Sequence, residues 1–258
     1  MVKKHPIFYT VMLAIESMIN AVKLNAVSAY MVVFGYKGEL RGLKGSTATL
    51  VNGCISSDDC DKLVKSFEEY LGGHNVDNSL VKVWTDESGS DTRIINFEKL
   101  MSKELLLGLN IEDKIRMVEL YLGRKVRSWC LMANRVIYKP ANIGSGGGWH
   151  RDSPFSHQVK FIWYLSEVTE GCGAVQYLPG SNSAKSKRKH RLGRYRFETE
   201  KISGEMRTVT GDRGSMLICD TSAIHRGAPI SIGCARYALT LYTSADKNGI
   251  KRTFNLHD

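Results

Sequence analysis

The chain has 258 residues, of which 43% are hydrophobic, 24% charged and 9% aromatic, a composition that excludes a disordered, collagen-like or disulfide-scaffold protein. An excess of lysine and arginine leaves a formal charge of +10 and a pI near 9.3, so an anionic partner has to be considered: nucleic acid, a phosphorylated substrate or a membrane surface. The six cysteines (Cys54, Cys60, Cys130, Cys172, Cys219, Cys234) form no CxxC pair and keep no regular spacing, which fits reduced thiols in a cytoplasmic protein better than a disulfide framework or a structural zinc site.

Met1-Val-Lys-Lys followed by apolar residues imitates a signal peptide, but Glu16 interrupts the apolar run and no small-x-small site follows cleanly. The longest charge-free runs, 5–15 and 24–36, fall short of the roughly 20 apolar residues a membrane span needs. The segment instead predicts an amphipathic helix, with Phe8, Val11, Met12, Ile15, Ile19 and Val22 on one face and Glu16, Asn20 and Lys23 off it. The simpler reading packs that face on the domain or on a second subunit, giving a homo-oligomer. The sharper one lays it, with Lys3, Lys4, Lys37, Arg41 and Lys44, on the inner face of an anionic membrane as a peripheral protein.

Ser56 or Ser57 caps a second predicted helix carrying Cys60, Leu63, Val64, Phe67 and Leu71, which Gly72-Gly73 stops. A third starts at Asn110, runs through Ile111, Ile115, Val118 and Leu122, and ends at Gly123. Beyond 125 the texture changes. Val126–Tyr138, Val159–Leu165, Ala174–Leu178, Ser215–Asp220 and Tyr237–Thr243 are short apolar or alternating segments bounded by turn residues. The expectation is an α+β protein of one domain, in which 1–125 form a mainly helical buttress on a jelly-roll core of 126–245, followed by a tail at 246–258.

The informative stretch is Gly148-Trp149-His150-Arg151-Asp152-Ser153-Pro154. On an extended segment His150 and Asp152 point to the same face, so an imidazole and a carboxylate can chelate one metal. His225 follows 73 residues after Asp152 on a later predicted strand, and Arg236 lies eleven beyond it. Two histidines and a carboxylate leave three metal positions open, the facial triad used for non-haem Fe(II) and O2. A guanidinium nearby suits the far carboxylate of a 2-oxo acid.

Residues from about 126 to 245 resemble the phytanoyl-CoA dioxygenase family of Fe(II)/2-oxoglutarate oxygenases. The matching pieces are Tyr138-Lys-Pro, Trp149-His-Arg-Asp-Ser-Pro, Gly173 through Leu178-Pro-Gly-Ser-Asn182, His225-Arg-Gly and Arg236. The resemblance implies a double-stranded β-helix, iron on His150, Asp152 and His225, and 2-oxoglutarate held by Arg236 with Tyr138 and Trp163 beside it. It also implies O2 as oxidant, ascorbate as reductant, and succinate and CO2 as products. Related halogenases lack the carboxylate, so Asp152 favours hydroxylation or desaturation. One departure is Gly227, where a small hydroxyl residue sometimes stands in the family.

Gly144-Ser-Gly-Gly-Gly148 lacks the Gly-Lys-Ser/Thr of a phosphate loop, and reads as freedom for a loop that admits substrate. Lys185, Lys187, Arg188, Lys189, Arg191, Arg194 and Arg196 supply +7 of the net +10. A solvated loop is the bland reading. In the family's insertion over the pocket mouth, the same cations would grip an anionic small molecule or a lipid- or glycan-linked group. Arg151, Ser153, Phe155, Lys187, Arg188 and Arg191 are the substrate candidates. The alternative function is nucleic-acid binding through the 185–196 loop; it is the weaker one, because no aromatic platform interleaves those cations.

Overall fold

The computed structural model describes residues 46–73, 80–153, 157–183, 202 and 204–256, with positions 11, 15, 18, 19, 22, 43 and 186 in addition. In chain order these form β1 (Ala48–Val51), α1 (Ser57–Leu71), β2 (Lys82–Thr85), β3 (Asp91–Ile95), a 3-10 turn (Phe97–Leu100) and α2 (Lys103–Gly108). Then come α3 (Ile111–Leu122), β4 (Ser128–Ile137), β5 (Val159–Tyr164), β6 (Val175–Tyr177), β7 (Arg207–Val209) and β8 (Met216–Asp220). The short β9 (His225–Gly227), the long β10 (Ala235–Ser244) and α4 (Gly249–Phe254) complete the order.

The helices expected at Ser57 and after Asn110 both form. The Ser56 hydroxyl accepts from Asp59 N at 3.1 Å, Asp58 and Asp59 lie in the positive first turn, and Cys60, Leu63 and Phe67 are buried on one face. Helix α3 ends at Gly123, whose φ of 61° is the left-handed stop that glycine adopts without strain.

Seven strands form one antiparallel sheet in the order β1-β8-β5-β10-β4-β3-β2, and three form a second in the order β7-β6-β9. Strand β10 pairs with β4 along its whole length, from Ala235 opposite Ile137 to Ser244 opposite Ser128. Side-chain alternation then sorts the large sheet into two faces. Val159, Phe161 and Trp163 of β5, with Leu239 and Leu241 of β10, pack against Leu63, Phe67 and Val118 of the helices. Tyr164, Leu217 and Cys219 face the other way and pack with Val175 and Tyr177 of the small sheet. Two facing antiparallel sheets with a helix-covered back are the jelly roll expected from the sequence.

Among the described residues of the front half, strands stand beside the expected helices. Strands β1, β2 and β3 lie within it, and β3 joins the large sheet through β4, with Asp91 opposite Val136 and Arg93 opposite Asn134. Its charges hide it as a strand, since they sit on the face that looks between the sheets. The 246–258 tail folds back: Ile250 and Phe254 of α4 pack on Cys130 and Tyr242.

Of the amphipathic N-terminal segment, Val11, Ile15, Met18, Ile19 and Val22 are helical and 42–68% exposed. Phe8, Met12, Lys3, Lys4, Lys37, Arg41, Lys44, Phe155 and the seven cations of 185–196 lie outside the described residues. Among the described residues, no helix is long and apolar enough to cross a membrane.

Candidate metal centre

His150 and His225 face each other across an isolated antiparallel bridge that extends the small sheet beside β9. Each donates its backbone N–H to the other's carbonyl at 2.9 Å, and the ring centroids are 4.3 Å apart. Nδ1 of His150 lies 2.8 Å from Gly148 O, and Nδ1 of His225 lies 2.9 Å from Ala223 O. A carbonyl only accepts, so each Nδ1 carries the proton and each Nε2 presents a lone pair. Both lone pairs look toward Asp152: His150 Nε2 is 3.6 Å from Oδ1 and His225 Nε2 is 3.7 Å from Oδ2. One ligand atom from each of the three residues lies within 4.8 Å of the other two. Two lone pairs and a carboxylate aimed at one point repel unless a cation sits among them, and this donor set fits a divalent metal with open positions.

Lys160 of β5 completes the electrostatics. Its Nζ is 2.7 Å from Asp152 Oδ2 and 4.2 Å above the Tyr242 ring. Burial alone would raise the Asp152 carboxyl, but the Lys160 ammonium beside it holds it well below the usual range. Burial works against the Lys160 ammonium too, and Asp152 and Tyr242 outweigh it. His225 is pushed down to about 4 by burial and then by its neighbour His150, so it stays neutral.

The bare glycines of 144–148 allow close packing around His150 and Gly227. A Cβ on Gly146 (φ +84°) would come within 2.4 Å of His150 Cε1, and one on Gly144 (φ +93°) would overlap the Gly227 carbonyl. The Gly227 departure has a local reason: a Cβ there would lie 2.9 Å from Ser145 Cβ and 3.3 Å from Arg236 Nη1, so the bare backbone lets both approach.

Asp220, at the end of β8 and 1% exposed, ties the ligand-bearing segments together. It accepts hydrogen bonds from His157 Nδ1 (2.5 Å), Tyr121 Oη of α3 (3.0 Å), Asn182 Nδ2 (3.0 Å) and Ser222 Oγ (2.7 Å). The backbone N–H groups of Gln158 and Ser222 donate to it as well, at 3.3 and 3.0 Å. Asp152 N donates to Thr221 O at 3.0 Å, so the segments carrying the first two ligands and the third meet at this carboxylate. Burial would raise Asp220, but His157 and the donors around it keep it well below the carboxylate range.

The pocket in front of the triad runs along β10 and is lined by Arg93, Lys160, Arg226, Arg236, Thr240 and Tyr242, among others. The Arg236 guanidinium is 5% exposed, donates through Nη1 to Gly173 O, and has a buried Nε without a partner among the described residues. Arg93 is ion-paired with Asp91 at 2.6 Å, and Ser145 Oγ donates to the same carboxylate at 2.7 Å. Arg226 donates through Nε to Gln176 Oε1 and lies 4.6 Å from the Trp149 ring centroid.

The structure therefore brings together His150, Asp152 and His225, and places Arg236 in the same pocket. It does not do so for every residue the sequence suggested. Trp163 is 1% exposed in the core behind the sheet, because it has the opposite parity to the pocket-lining Ile162. Tyr138 lies beyond the end of β4, 41% exposed and away from the pocket lining. Arg151 alternates away from its two neighbours and is buried as a strut, donating through Nη1 to the carbonyls of Ser181 and Ser222. Ser153 is not among the lining residues. Lys160 and Arg93 were missed. Lys160 is the single charge in Val159–Tyr164, a signal that parity could have turned into a pocket position.

The sequence profile described as phytanoyl-CoA dioxygenase matches residues 48–237. No curated protein matches the chain. Among solved structures, the epimerase SnoN in complex with Fe3+, α-ketoglutarate and nogalamycin RO is similar at a TM-score of 0.56 and 13% identity, covering 83% of this chain and 88% of that one. The carbocyclase SnoK from nogalamycin biosynthesis gives 0.56 at 14%, covering 85% and 90%. HygX from Streptomyces hygroscopicus, with nickel, 2-oxoglutarate and hygromycin B bound, gives 0.54 at 12%, covering 79% and 84%. At these identities the likeness is one of fold.

Proposed function

The chain belongs to the phytanoyl-CoA dioxygenase family, and on that premise we propose that it is an Fe(II)- and 2-oxoglutarate-dependent oxygenase that hydroxylates a small anionic molecule. The observation that carries this reading is the convergence of two Nε2 lone pairs and the Asp152 carboxylate on one point. When bound, iron and 2-oxoglutarate supply the activation of O2, with 2-oxoglutarate leaving as succinate and CO2. The chain's own residues bind, orient and exclude water. His150 and His225 are fixed in the ligating tautomer by Gly148 and Ala223. Asp152, already paired with Lys160, would also hold the metal. Arg236, buried and with an unpartnered Nε, would take the far carboxylate of 2-oxoglutarate.

An anionic substrate is supported by the remaining charges. Arg93, Lys160 and Arg226 line the same pocket as Arg236, and among the described residues Asp91 and Asp152 are the carboxylates paired against them. Solved relatives that hold nogalamycin RO or hygromycin B support a small-molecule substrate. Hydroxylation is the simplest outcome for a site that keeps its carboxylate, although epimerisation and ring closure occur on the same fold. The test is anaerobic: Fe(II) and then 2-oxoglutarate are added while the visible charge-transfer absorption of the chelate is followed. A band that needs both additions and is lost in His150→Ala supports the reading. The same spectrum with and without 2-oxoglutarate overturns it.

The exposed helical stripe of Val11, Ile15, Met18, Ile19 and Val22 supports an interfacial attachment of this enzyme to anionic membranes. Vesicles containing anionic lipid should sediment the full-length chain and not one lacking residues 1–25; equal sedimentation of both ends this part of the reading.

A further inference from the structure

Two cysteines 62 positions apart in the chain meet at the Arg236 end of the pocket. Segments 171–174 and 228–231 run side by side: Cys172 is bridged to Ile230, Ser231 N donates to Gly171 O at 2.8 Å, and Ala228 N donates to Ala174 O at 2.8 Å. A tight turn, closed by Cys234 N donating to Ser231 O at 3.1 Å, then carries the chain back toward the segment of Cys172, and each of the two thiols shifts the acidity of the other. Both thiols are partly exposed, beside a rim where Ile232 is 78% exposed. Cys60, Cys130 and Cys219 are buried instead, and Cys54 directs its thiol at the Val51 carbonyl.

We infer that Cys172 and Cys234 are an oxidation site, a dithiol that hydrogen peroxide closes to a disulfide against the segment that anchors Arg236. The placement gives the link a consequence. Cys172 precedes Gly173, whose carbonyl accepts from Arg236 Nη1, and Cys234 stands two residues before Arg236 on the way into β10. A covalent bond between them ties together the two strands of chain that set that guanidinium.

The chemistry balances with peroxide as the only co-reactant. The Cys172 thiolate attacks one peroxide oxygen, so an S–O bond forms, the O–O bond breaks, and hydroxide leaves to take up a proton as water. The Cys234 sulfur then attacks the sulfenic sulfur, forming S–S and breaking S–O, and a second water leaves with the Cys234 proton. Two thiols lose two electrons and two protons, and one peroxide becomes two waters. The order of attack follows from the environments. Burial tends to raise the Cys172 thiol, but the hydrogen bonds from Cys234 and Thr169 outweigh it and leave Cys172 below its ordinary value, while Cys234 is raised. Burial pushes the Cys130 and Cys219 thiols up to about 12, so these stay inert.

The test uses the full-length chain, held metal-free with a chelator and exposed to one equivalent of hydrogen peroxide. Free thiols should fall from six to four, and dithiothreitol should restore them. Tryptic digestion without reductant should yield peptide 161–185 joined to peptide 227–236, each of which carries one cysteine. In Cys234→Ser a dione probe should trap sulfenic acid on Cys172, and in Cys172→Ser no linked peptide should form. Because the mapping reads wild-type protein, it does not depend on either variant folding. The inference is overturned if Cys172 and Cys234 alkylate fully after peroxide, or if the thiols lost are among Cys54, Cys60, Cys130 and Cys219.

Discussion

His150 and His225 are a cross-strand pair, joined by two backbone hydrogen bonds of 2.9 Å and both anchored through Nδ1 to a carbonyl two residues upstream. The geometry of the candidate site is thus set by sheet register together with these carbonyl anchors. Their Nε2 atoms are aimed before any ion arrives, so binding has little side-chain ordering to offset.

Changes that move a ring without breaking the sheet should strike metal affinity selectively. Gly146→Ala places a Cβ 2.4 Å from His150 Cε1 at a φ of +84°. We expect a folded protein with Fe(II) or Mn(II) affinity weakened about 10–100-fold. Calorimetric titration checks this, and unchanged affinity would show that the loop has room to yield.

Lys160 competes with a metal for Asp152, being 2.7 Å from Oδ2. Lys160→Met removes a positive charge from beside the cation site and leaves a buried carboxylate short of its partner. Metal-free protein should melt earlier, while divalent-metal affinity rises about tenfold or more. Weaker binding would assign Lys160 to holding Asp152 in position.

Asp220 should govern acid stability. Its folded-state pKa is depressed, so its contribution is fully present above the unfolded carboxylate value of about 4 and is lost as pH falls below it. Asp220→Asn leaves several buried donors facing an amide and should cost about 3 kcal/mol at neutral pH. Urea unfolding at pH 7 and pH 2 should show the variant's deficit shrinking with acid. A deficit that does not change with pH would mean that packing, not charge, is what the variant loses.

The candidate metal ligands and Arg236 were legible because each rests on a local rule: HxD on an extended segment, a histidine opening a short strand, an arginine at fixed distance on the next. The strands β4, β5, β8 and β10 were legible from alternation and flanking turns. Strand β3 was not, because Asp91 and Arg93 look into the space between the sheets and break the apolar pattern that marks a strand. Arg151 and Trp163 failed for one shared reason. Period-two parity puts Arg151 opposite His150 and Asp152, and Trp163 opposite Lys160 and Ile162, so nearness in the chain does not bring either side chain to the pocket. The Asp220 network and the meeting of Cys172 with Cys234 depend on long-range register, which no local pattern encodes.

The measurement closest to the central claim is conversion of 2-oxoglutarate to succinate by protein loaded anaerobically with Fe(II) and then given O2 and ascorbate. His150→Ala and Arg236→Ala run beside it. Expected is slow O2-dependent succinate release without added substrate, abolished in His150→Ala and reduced at least about a hundredfold at low 2-oxoglutarate in Arg236→Ala, where a buried charge-assisted pair is lost. Succinate formed equally by wild type and His150→Ala, or no Fe(II)-dependent turnover from correctly folded wild type under any of these conditions, would contradict it.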